Sequence, residues 1–94
     1  MNQQKKQAVH LWVTGKVQGV SYRYYTTIEA ERLRVKGWVR NLPDGRVEAW
    51  LEGGPEELEI MLQWCWQGSP AAVVEAVHTQ CETPQYYRQF EVRR

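Results

Sequence analysis

The sequence has little sulfur and almost no excess charge. Its 94 residues include two cysteines and two methionines, and 12 basic side chains against 11 acidic ones leave a net charge of +1. Cys65 and Cys81 form no C-x-x-C pair and have no ligand-like histidine near them, which argues against a metal site and favours free thiols. The small net charge argues against an obligate nucleic-acid binder, because such proteins normally carry a basic excess.

Long apolar runs are also absent. No segment approaches the roughly 20 apolar residues that a membrane-spanning helix needs. The apolar stretch behind the two lysines of residues 1–7 is too short and broken for a signal peptide. We therefore expect a cytoplasmic protein with a flexible, polar segment at residues 1–7 and a single domain at residues 8–94. The sequence contains no repeats or low-complexity segments.

Hydrophobic periodicity predicts an alternation of strands and helices. The period-two and period-3.6 patterns predict strands at 8–14, 37–42, 46–52, 72–82 and 86–92 and helices at 22–34 and 55–67. The order β-α-β-β-α-β plus a terminal strand is typical of the split βαβ, ferredoxin-like α+β fold, an antiparallel sheet with two helices on one face. In this arrangement Val9, Leu11 and Val13 face the core, and Phe90 and Val92 are expected to point inward.

The stretch from Gly15 to Arg23 lies between the first strand and the first helix. Two glycines let the backbone turn its N–H groups toward a ligand, and the first turn of a helix attracts negative charge. Ser21 is a candidate N-cap, and Arg23 in the first helical turn could bind phosphate or carboxylate. These features indicate an anion site. A tight strand-to-helix connection with two turn glycines and a surface arginine explains them equally well.

Asn41 and His10 are the other polar candidates. Asn41 precedes the turn Pro43-Asp44-Gly45, where it could be a turn former, and sequence spacing alone does not bring it next to the glycine loop. His10 lies on the strand face opposite Val9 and Leu11 without a visible partner, which favours a structural role. The terminal pair Arg93-Arg94 is expected to be a solvated end.

Two motifs make the chain resemble the acylphosphatase family, of the common type. Residues 15–23, GKVQGVSYR, match the family's G-x-V-Q-G-V-x-[FY]-R signature, and residues 37–48, GWVRNLPDGRVE, match G-x-V-x-N-x-x-D-G-x-V-E. Residues 68–77 also resemble the family's G-x-P-x-A-x-V segment. The likeness covers about residues 8–92. It departs from the usual pattern at Tyr22, where Phe is common, and at Arg34, where many members have Gly.

The resemblance implies hydrolysis of acyl phosphates to a carboxylate and inorganic phosphate, without a metal or cofactor. It implies catalytic roles for Arg23, which would bind the phosphoryl group, and Asn41, which would hold the attacking water. The phosphate-binding loop would use the backbone amides of Gln18, Gly19, Val20, Ser21, Tyr22 and Arg23. The implied partners are an acyl phosphate substrate and inorganic phosphate as product and inhibitor, and we expect a monomer without nucleic-acid or membrane partners.

Further expectations concern the two departures from the family pattern, Tyr22 and Arg34, and the reaction mechanism. We expect the Tyr22 hydroxyl to lie at a partly exposed helix start, and Arg34 to adopt the left-handed conformation that ends the first helix. Because no side chain in the two motifs looks like a general base, our hypothesis is that the substrate's own phosphate takes the proton of the water. A rate that is flat between about pH 5 and 8 would fit this hypothesis.

Two alternatives remain at this point. RNA-binding domains of the same fold stack bases on aromatic residues of the open sheet face, where Trp12, Trp38 and Trp50 could lie, although the RNP1 pattern is absent. The chain could also be a module of a larger assembly that handles acyl or carbamoyl phosphates. Because the sequence ends directly after the predicted domain, we expect a free-standing enzyme.

Overall fold

Seven regular elements follow one another in the predicted order. The computed structural model describes residues 5–94, so most of the flexible segment expected at residues 1–7 lies outside the described residues, and the first strand already begins at Gln7. The elements are β1 (Gln7–Lys16), α1 (Tyr22–Leu33), β2 (Lys36–Asn41), β3 (Val47–Gly53), α2 (Pro55–Gln67), β4 (Val73–Glu82) and β5 (Phe90–Arg93). The predicted split βαβ fold with a terminal strand is confirmed.

The five strands form one sheet in the order β4-β1-β3-β2-β5. The pairings β4-β1, β1-β3 and β3-β2 are antiparallel, as expected. Strand β5 instead pairs parallel with β2, which makes the sheet mixed. The reason is the connection after β4, which crosses from one sheet edge to the other. The buried carboxylate of Glu52 holds this connection by accepting hydrogen bonds from the backbone N–H groups of Gln85 and Tyr87.

Alternation along β1 and β3 builds one side of the core. The apolar side chains of both strands that face the helices are buried, and they pack in one cluster with residues of both helices. This cluster includes Leu11, Val13, Val47, Ala49 and Leu51 from the strands and Ala30, Leu58, Met61 and Cys65 from the helices. Both helices therefore cover the same face of the sheet, and the other face carries His10, Trp12, Trp50 and Glu48.

Helix α1 ends as expected but buries a different stripe from the expected one. Arg34 is left-handed at φ 60° and ψ 33°, and the next residue, Val35, donates its N–H to Ala30 O at 2.8 Å. The helical period of the sequence predicts a core stripe of Tyr22, Tyr25, Ala30 and Leu33, but Tyr25 is exposed and Thr26 is buried in its place. Burial of Thr26 is feasible because its hydroxyl donates to Tyr22 O at 2.7 Å, one turn earlier.

Of the two β5 side chains that were expected to point inward, one is buried and the other is not. Phe90 is buried in the core. Val92 lies on the same face of the sheet, opposite Val39 of β2, but it is 47% exposed. Because β5 is an edge strand, the helices do not reach over its end, and Val92 lies at the wall of a cleft rather than in the core.

Candidate active site

The loop between β1 and α1 begins at a position that only glycine can occupy. Gly15 has φ +125°, and it lies opposite an irregular step in the pairing of β1 with β4. A Cβ on Gly15 would lie 2.2 Å from the Val73 carbonyl oxygen. Gly15 is therefore required for the close approach of β4, and it directs the chain out of the sheet into the loop.

Three contacts fix the course of this loop. The side chain of Val17 is buried in the core. The Gln18 side-chain amide donates to Leu42 O at 2.8 Å and to Arg46 O at 2.9 Å, and the Ser69 hydroxyl donates to Val20 O at 2.7 Å. The bonds of Gln18 join the loop to the β2–β3 turn. They thereby bring Asn41, at the end of β2, into the same cleft as the loop.

Loop residues that line this cleft carry backbone donors without partners within residues 5–94. Gly19 and Ser21 both have positive φ values, +74° and 62°. Ser21 does occupy the N-cap position of α1, but its hydroxyl makes no capping hydrogen bond. Among residues 5–94, no acceptor pairs with the backbone N–H groups of residues 18–23. A row of unpaired N–H groups at a helix N-terminus is the arrangement that binds phosphate groups in proteins.

Arg23 and Asn41 line the same cleft as the loop, with a volume of about 940 Å³. Arg23 is half-buried and forms no ion pair with any residue that the structure describes. The buried Oδ1 atom of Asn41 likewise has no hydrogen-bond partner within residues 5–94. A buried acceptor without a partner is rare in folded proteins, because its desolvation is not compensated. This acceptor, the arginine and the loop together could hold a phosphoryl group and a water molecule.

Tyr22 differs from the expectation of a partly exposed hydroxyl. Its side chain is 2% exposed, and its hydroxyl donates to the Cys65 carbonyl oxygen at 2.7 Å. This carbonyl lies in the last turn of α2, where helix geometry leaves it without an intrahelical donor. Burial, and secondarily Cys65, raises the pKa of Tyr22 far above its ordinary value, and burial raises the pKa of the Cys65 thiol to about 12. Both side chains are therefore uncharged, and the hydrogen bond from the Tyr22 hydroxyl joins α1 to α2.

The C-terminal arginines were expected to form a solvated end, and Arg94 is exposed as expected. The Arg93 guanidinium lies 5.0 Å from the ring centre of Trp38, on the open face of the sheet. Arg94 lines the cleft. Arg94, the residue after β5, adds a second cation to the lining of this cleft.

The open face holds the remaining polar candidates. The His10 ring contacts Trp12 at 4.1 Å between ring centres and forms a 2.7 Å hydrogen bond with Glu48. Trp38 is 7% exposed, so it is not free to stack a base as the RNA-binding alternative requires. Within residues 5–94 no group of three or more His, Cys, Asp or Glu side chains is placed to hold a metal ion. The same residues contain no helix that could span a membrane.

Fold and site together define an α+β domain of the split βαβ type with a loop of unpaired backbone N–H groups at the start of its first helix. The acylphosphatase family model matches residues 9–92. The chain is 53% identical over 85 residues to an acylphosphatase of Synechococcus sp. (strain JA-2-3B'a(2-13)), which covers 90% of either chain.

Solved structures agree with the sequence comparisons. The acylphosphatase from Coxiella burnetii superposes with a TM-score of 0.92 at 37% identity and covers 99% of this chain and 100% of its own. The acylphosphatase from Bacillus subtilis gives 0.91 at 30% identity, with 94% and 99% covered. The chain belongs to the acylphosphatase family, and its activity is the hydrolysis of acyl phosphates.

Sequence reasoning missed the side chains that hold the loop in place. The resemblance suggested only a backbone role for Gln18, whereas its side chain joins the loop to the hairpin. Ser69 lies in the G-S-P segment, and its contact with Val20 spans 49 positions of the chain. The two signatures and the G-x-P-x-A-x-V segment contain these residues, but their partners depend on tertiary contacts that no local pattern encodes.

Proposed function

We propose that the loop amides and Arg23 bind the phosphoryl group of the substrate and that Asn41 holds the attacking water. The observation that carries this proposal is the meeting of unpaired groups in one cleft. The N–H groups of residues 18–23 are donors for phosphoryl oxygens, and the Asn41 Oδ1 atom is an acceptor for the O–H of a water. Arg23 contributes a planar cation that matches two phosphoryl oxygens.

Each residue then has a defined part in the reaction. The water oxygen forms a bond to phosphorus as the bond from phosphorus to the carboxyl oxygen breaks, and the electron pair of that bond leaves with the carboxylate. The transition state of such transfers is loose, with charge on the peripheral phosphoryl oxygens, so catalysis consists mainly of positioning and charge stabilisation. The fixed amides and Arg23 supply that stabilisation without reorganisation.

The proton of the water goes to an oxygen of the phosphoryl group. Asn41 cannot accept a proton at neutral pH, and the α1 carboxylate that lines the cleft, Glu31, lies about two helical turns from Arg23. Because a carboxylate is a good leaving group, it needs no general acid. The products are therefore the free carboxylate and a protonated inorganic phosphate, which we expect to inhibit by occupying the same loop.

Hydrolysis of benzoyl phosphate in ¹⁸O-labelled water tests the site of attack. Attack on phosphorus places the label in the inorganic phosphate, and attack on the acyl carbon places it in the benzoate. Mass spectrometry of both products after a single turnover separates the two routes. Label in benzoate would contradict the proposed geometry, because Asn41 would then direct the water to the wrong atom.

We further propose that residues 8–94 act as one catalytic domain, as a monomer in the cytoplasm. The support for a reducing compartment is that Cys65 and Cys81 are both free thiols. Analytical ultracentrifugation of the active protein tests the oligomeric state, and a sedimentation coefficient that rises with protein concentration would contradict a monomer.

A further inference from the structure

The cleft continues beyond the groups that would hold phosphate. Its outer part is lined by the exposed side of α1 and by the end of β5. There Tyr24 is 63% exposed, Ile28 is 44% exposed and Val92 is 47% exposed. Three large apolar side chains thus leave their surfaces open to solvent within one concave region, directly next to the proposed phosphate site. Such a region is suited to an apolar ligand group.

Helix geometry sets the direction and length of this region. Tyr24 and Ile28 are one turn apart on α1, and a rise of 1.5 Å per residue puts Ile28 roughly 7 Å along the helix axis from Arg23. A phosphoryl group at the helix N-terminus would therefore have its acyl group within reach of these side chains. Roughly 7 Å is about the length of a benzoyl group or of a six-carbon chain.

The charges at the two ends of the cleft differ in sign. Arg23 and Arg94 lie at the end near Asn41, and Glu31 lies two turns along α1 from Arg23, roughly 12 Å by the helical rise. The cationic end suits the phosphoryl group. The carboxylate of Glu31 opposes a second anionic group on the far end of the substrate.

We propose that Tyr24, Ile28 and Val92 form the acyl-group subsite of this enzyme, and that it selects acyl phosphates whose acyl group is apolar and carries no second negative charge. This inference rests on the phosphate site proposed above, since the acyl group is placed relative to Arg23. In this proposal Ile28 and Glu31 determine which acyl groups bind. Neither contacts the phosphoryl group, so the smallest acyl phosphate should be hydrolysed equally well without them.

A series of unbranched substrates tests the apolar subsite. Acetyl, butanoyl and hexanoyl phosphate have leaving carboxylates of nearly equal basicity, so differences in kcat/KM report binding of the chain. We expect kcat/KM to rise about twofold with each added methylene, about half of the effect of full burial. In Ile28→Ser the rise should be weaker, because only Tyr24 and Val92 remain in the subsite, with hexanoyl phosphate reduced about fivefold and acetyl phosphate unchanged.

A matched control comes from the second helix. Ile60 on α2 is also 44% exposed, but it lies outside the cleft, so Ile60→Ser should retain the full dependence on chain length. Equal kcat/KM for all three substrates with the unmodified enzyme would overturn the subsite. That result would leave the proposed function intact, whereas activity on acetyl phosphate that survives Arg23→Ala would contradict the phosphate site itself.

The charge preference is tested separately with succinyl phosphate, which carries a distal carboxylate. Glu31→Gln should raise kcat/KM for succinyl phosphate about fivefold at low ionic strength and leave hexanoyl phosphate unchanged. Glu59→Gln on the exposed side of α2 is the control and should alter neither substrate. An unchanged preference in Glu31→Gln would remove Glu31 from the specificity assignment.

Discussion

The open face of the sheet and the cleft differ in how their charged side chains are paired, although one uncharged donor of the open face, Trp38 Nε1, also has no hydrogen-bond partner within residues 5–94. On the open face, Glu48 is 6% exposed and is paired twice, with His10 Nε2 at 2.7 Å and with Arg40 Nε at 2.6 Å. We call these three residues the open-face triad. In the cleft, by contrast, Arg23 has no ion pair and Asn41 Oδ1 has no hydrogen-bond partner among residues 5–94.

This difference separates structural charges from those available for binding. A buried charge must be compensated, and in the open-face triad the compensation comes from within the protein. In the cleft no residue among 5–94 supplies a partner to Arg23 or to Asn41 Oδ1. Residue type alone would have suggested the reverse, because a histidine beside a carboxylate is a familiar catalytic pair, whereas an asparagine beside a turn is not. The predictions below test this contrast.

The largest effect should come from removing the cation of the cleft. We expect Arg23→Ala to lower kcat/KM for benzoyl phosphate about 10³-fold or more, because a charge-assisted donor to the phosphoryl oxygens is lost in the transition state. Steady-state kinetics measures the loss, and inhibition by inorganic phosphate should disappear with it. Inhibition that persists unchanged in Arg23→Ala would contradict the assignment.

Arg40→Ala is the matched control for that variant. It also removes a half-exposed arginine, but from the open-face triad, where the guanidinium pairs with Glu48. The rate should stay within about twofold of the unmodified enzyme, while the free energy of unfolding falls by about 1 kcal/mol. Equal losses of rate in the two variants would remove the contrast between the faces.

A smaller effect on the rate is expected at Asn41. Asn41→Ala should lower kcat about 10²-fold, since an acceptor that orients the water is lost, and leave KM within about threefold. Initial-rate kinetics over a range of benzoyl phosphate concentrations separates the two parameters. If KM rises steeply while kcat is retained, Asn41 binds substrate rather than water.

On the open face, removal of a paired group should lower the free energy of unfolding rather than the reaction rate. Glu48→Gln should lower the free energy of unfolding by about 2 kcal/mol at pH 7, because it removes the charge that pairs with His10 and Arg40. Activity below the unfolding temperature should be unchanged. Urea unfolding of both proteins measures the difference, and a loss of activity in folded Glu48→Gln would link this face to the chemistry.

The same variant has a defined pH dependence. Burial would raise the pKa of Glu48, but the hydrogen bonds from Arg40 and His10 outweigh it and lower the pKa below its ordinary value of 4.5. A lowered pKa in the folded state adds stability above that ordinary value, and this part is lost as the pH falls through the folded-state pKa. The difference in stability between the unmodified protein and Glu48→Gln should therefore shrink below about pH 4.5.

Much of the fold could be predicted from the sequence, because it depends on local patterns. Alternation in β1 and β3 gave the core side correctly, and the left-handed conformation of Arg34 followed from the position where α1 had to end. The parallel pairing of β5 was not foreseeable, because it depends on a connection that Glu52 holds from 33 and 35 positions away.

The same distinction between local patterns and tertiary contacts applies to the candidate site. The glycine loop and its helix start could be recognised from residues 15–23 alone, although these residues fit an anion site and a plain strand-to-helix turn equally well. The nearness of Asn41 could not, because it depends on the bonds from Gln18 to Leu42 and Arg46. The burial of Tyr22 likewise follows from where α2 ends, which places the Cys65 carbonyl oxygen 2.7 Å from the Tyr22 hydroxyl.

The Tyr22 hydroxyl should contribute about 1 kcal/mol to stability. Tyr22→Phe removes one hydrogen bond and leaves the Cys65 carbonyl without that donor, so the thermal midpoint should fall by about 4–8 °C. Because the ring itself is retained, the loop should keep its course and kcat/KM should change less than twofold. Calorimetry and benzoyl phosphate kinetics together check this. A large loss of activity at unchanged stability would mean that the hydroxyl positions the loop for catalysis.

The smallest effect is expected at the histidines. The chain has two, and both His10 and His78 lie on the open face, His78 as the ladder partner of Trp12. Neither can reach the cleft through the sheet, so kcat/KM for benzoyl phosphate should be flat between about pH 5 and 8, and the double variant His10→Asn, His78→Asn should have the same profile. Rate measurements across this range at constant ionic strength provide the check. An inflection near pH 6.5 that vanishes in the double variant would show that an imidazole takes part in the reaction. The phosphoryl group would then not be the proton acceptor. Protons would have to pass between His10 on the open face and the cleft on the other side of the sheet.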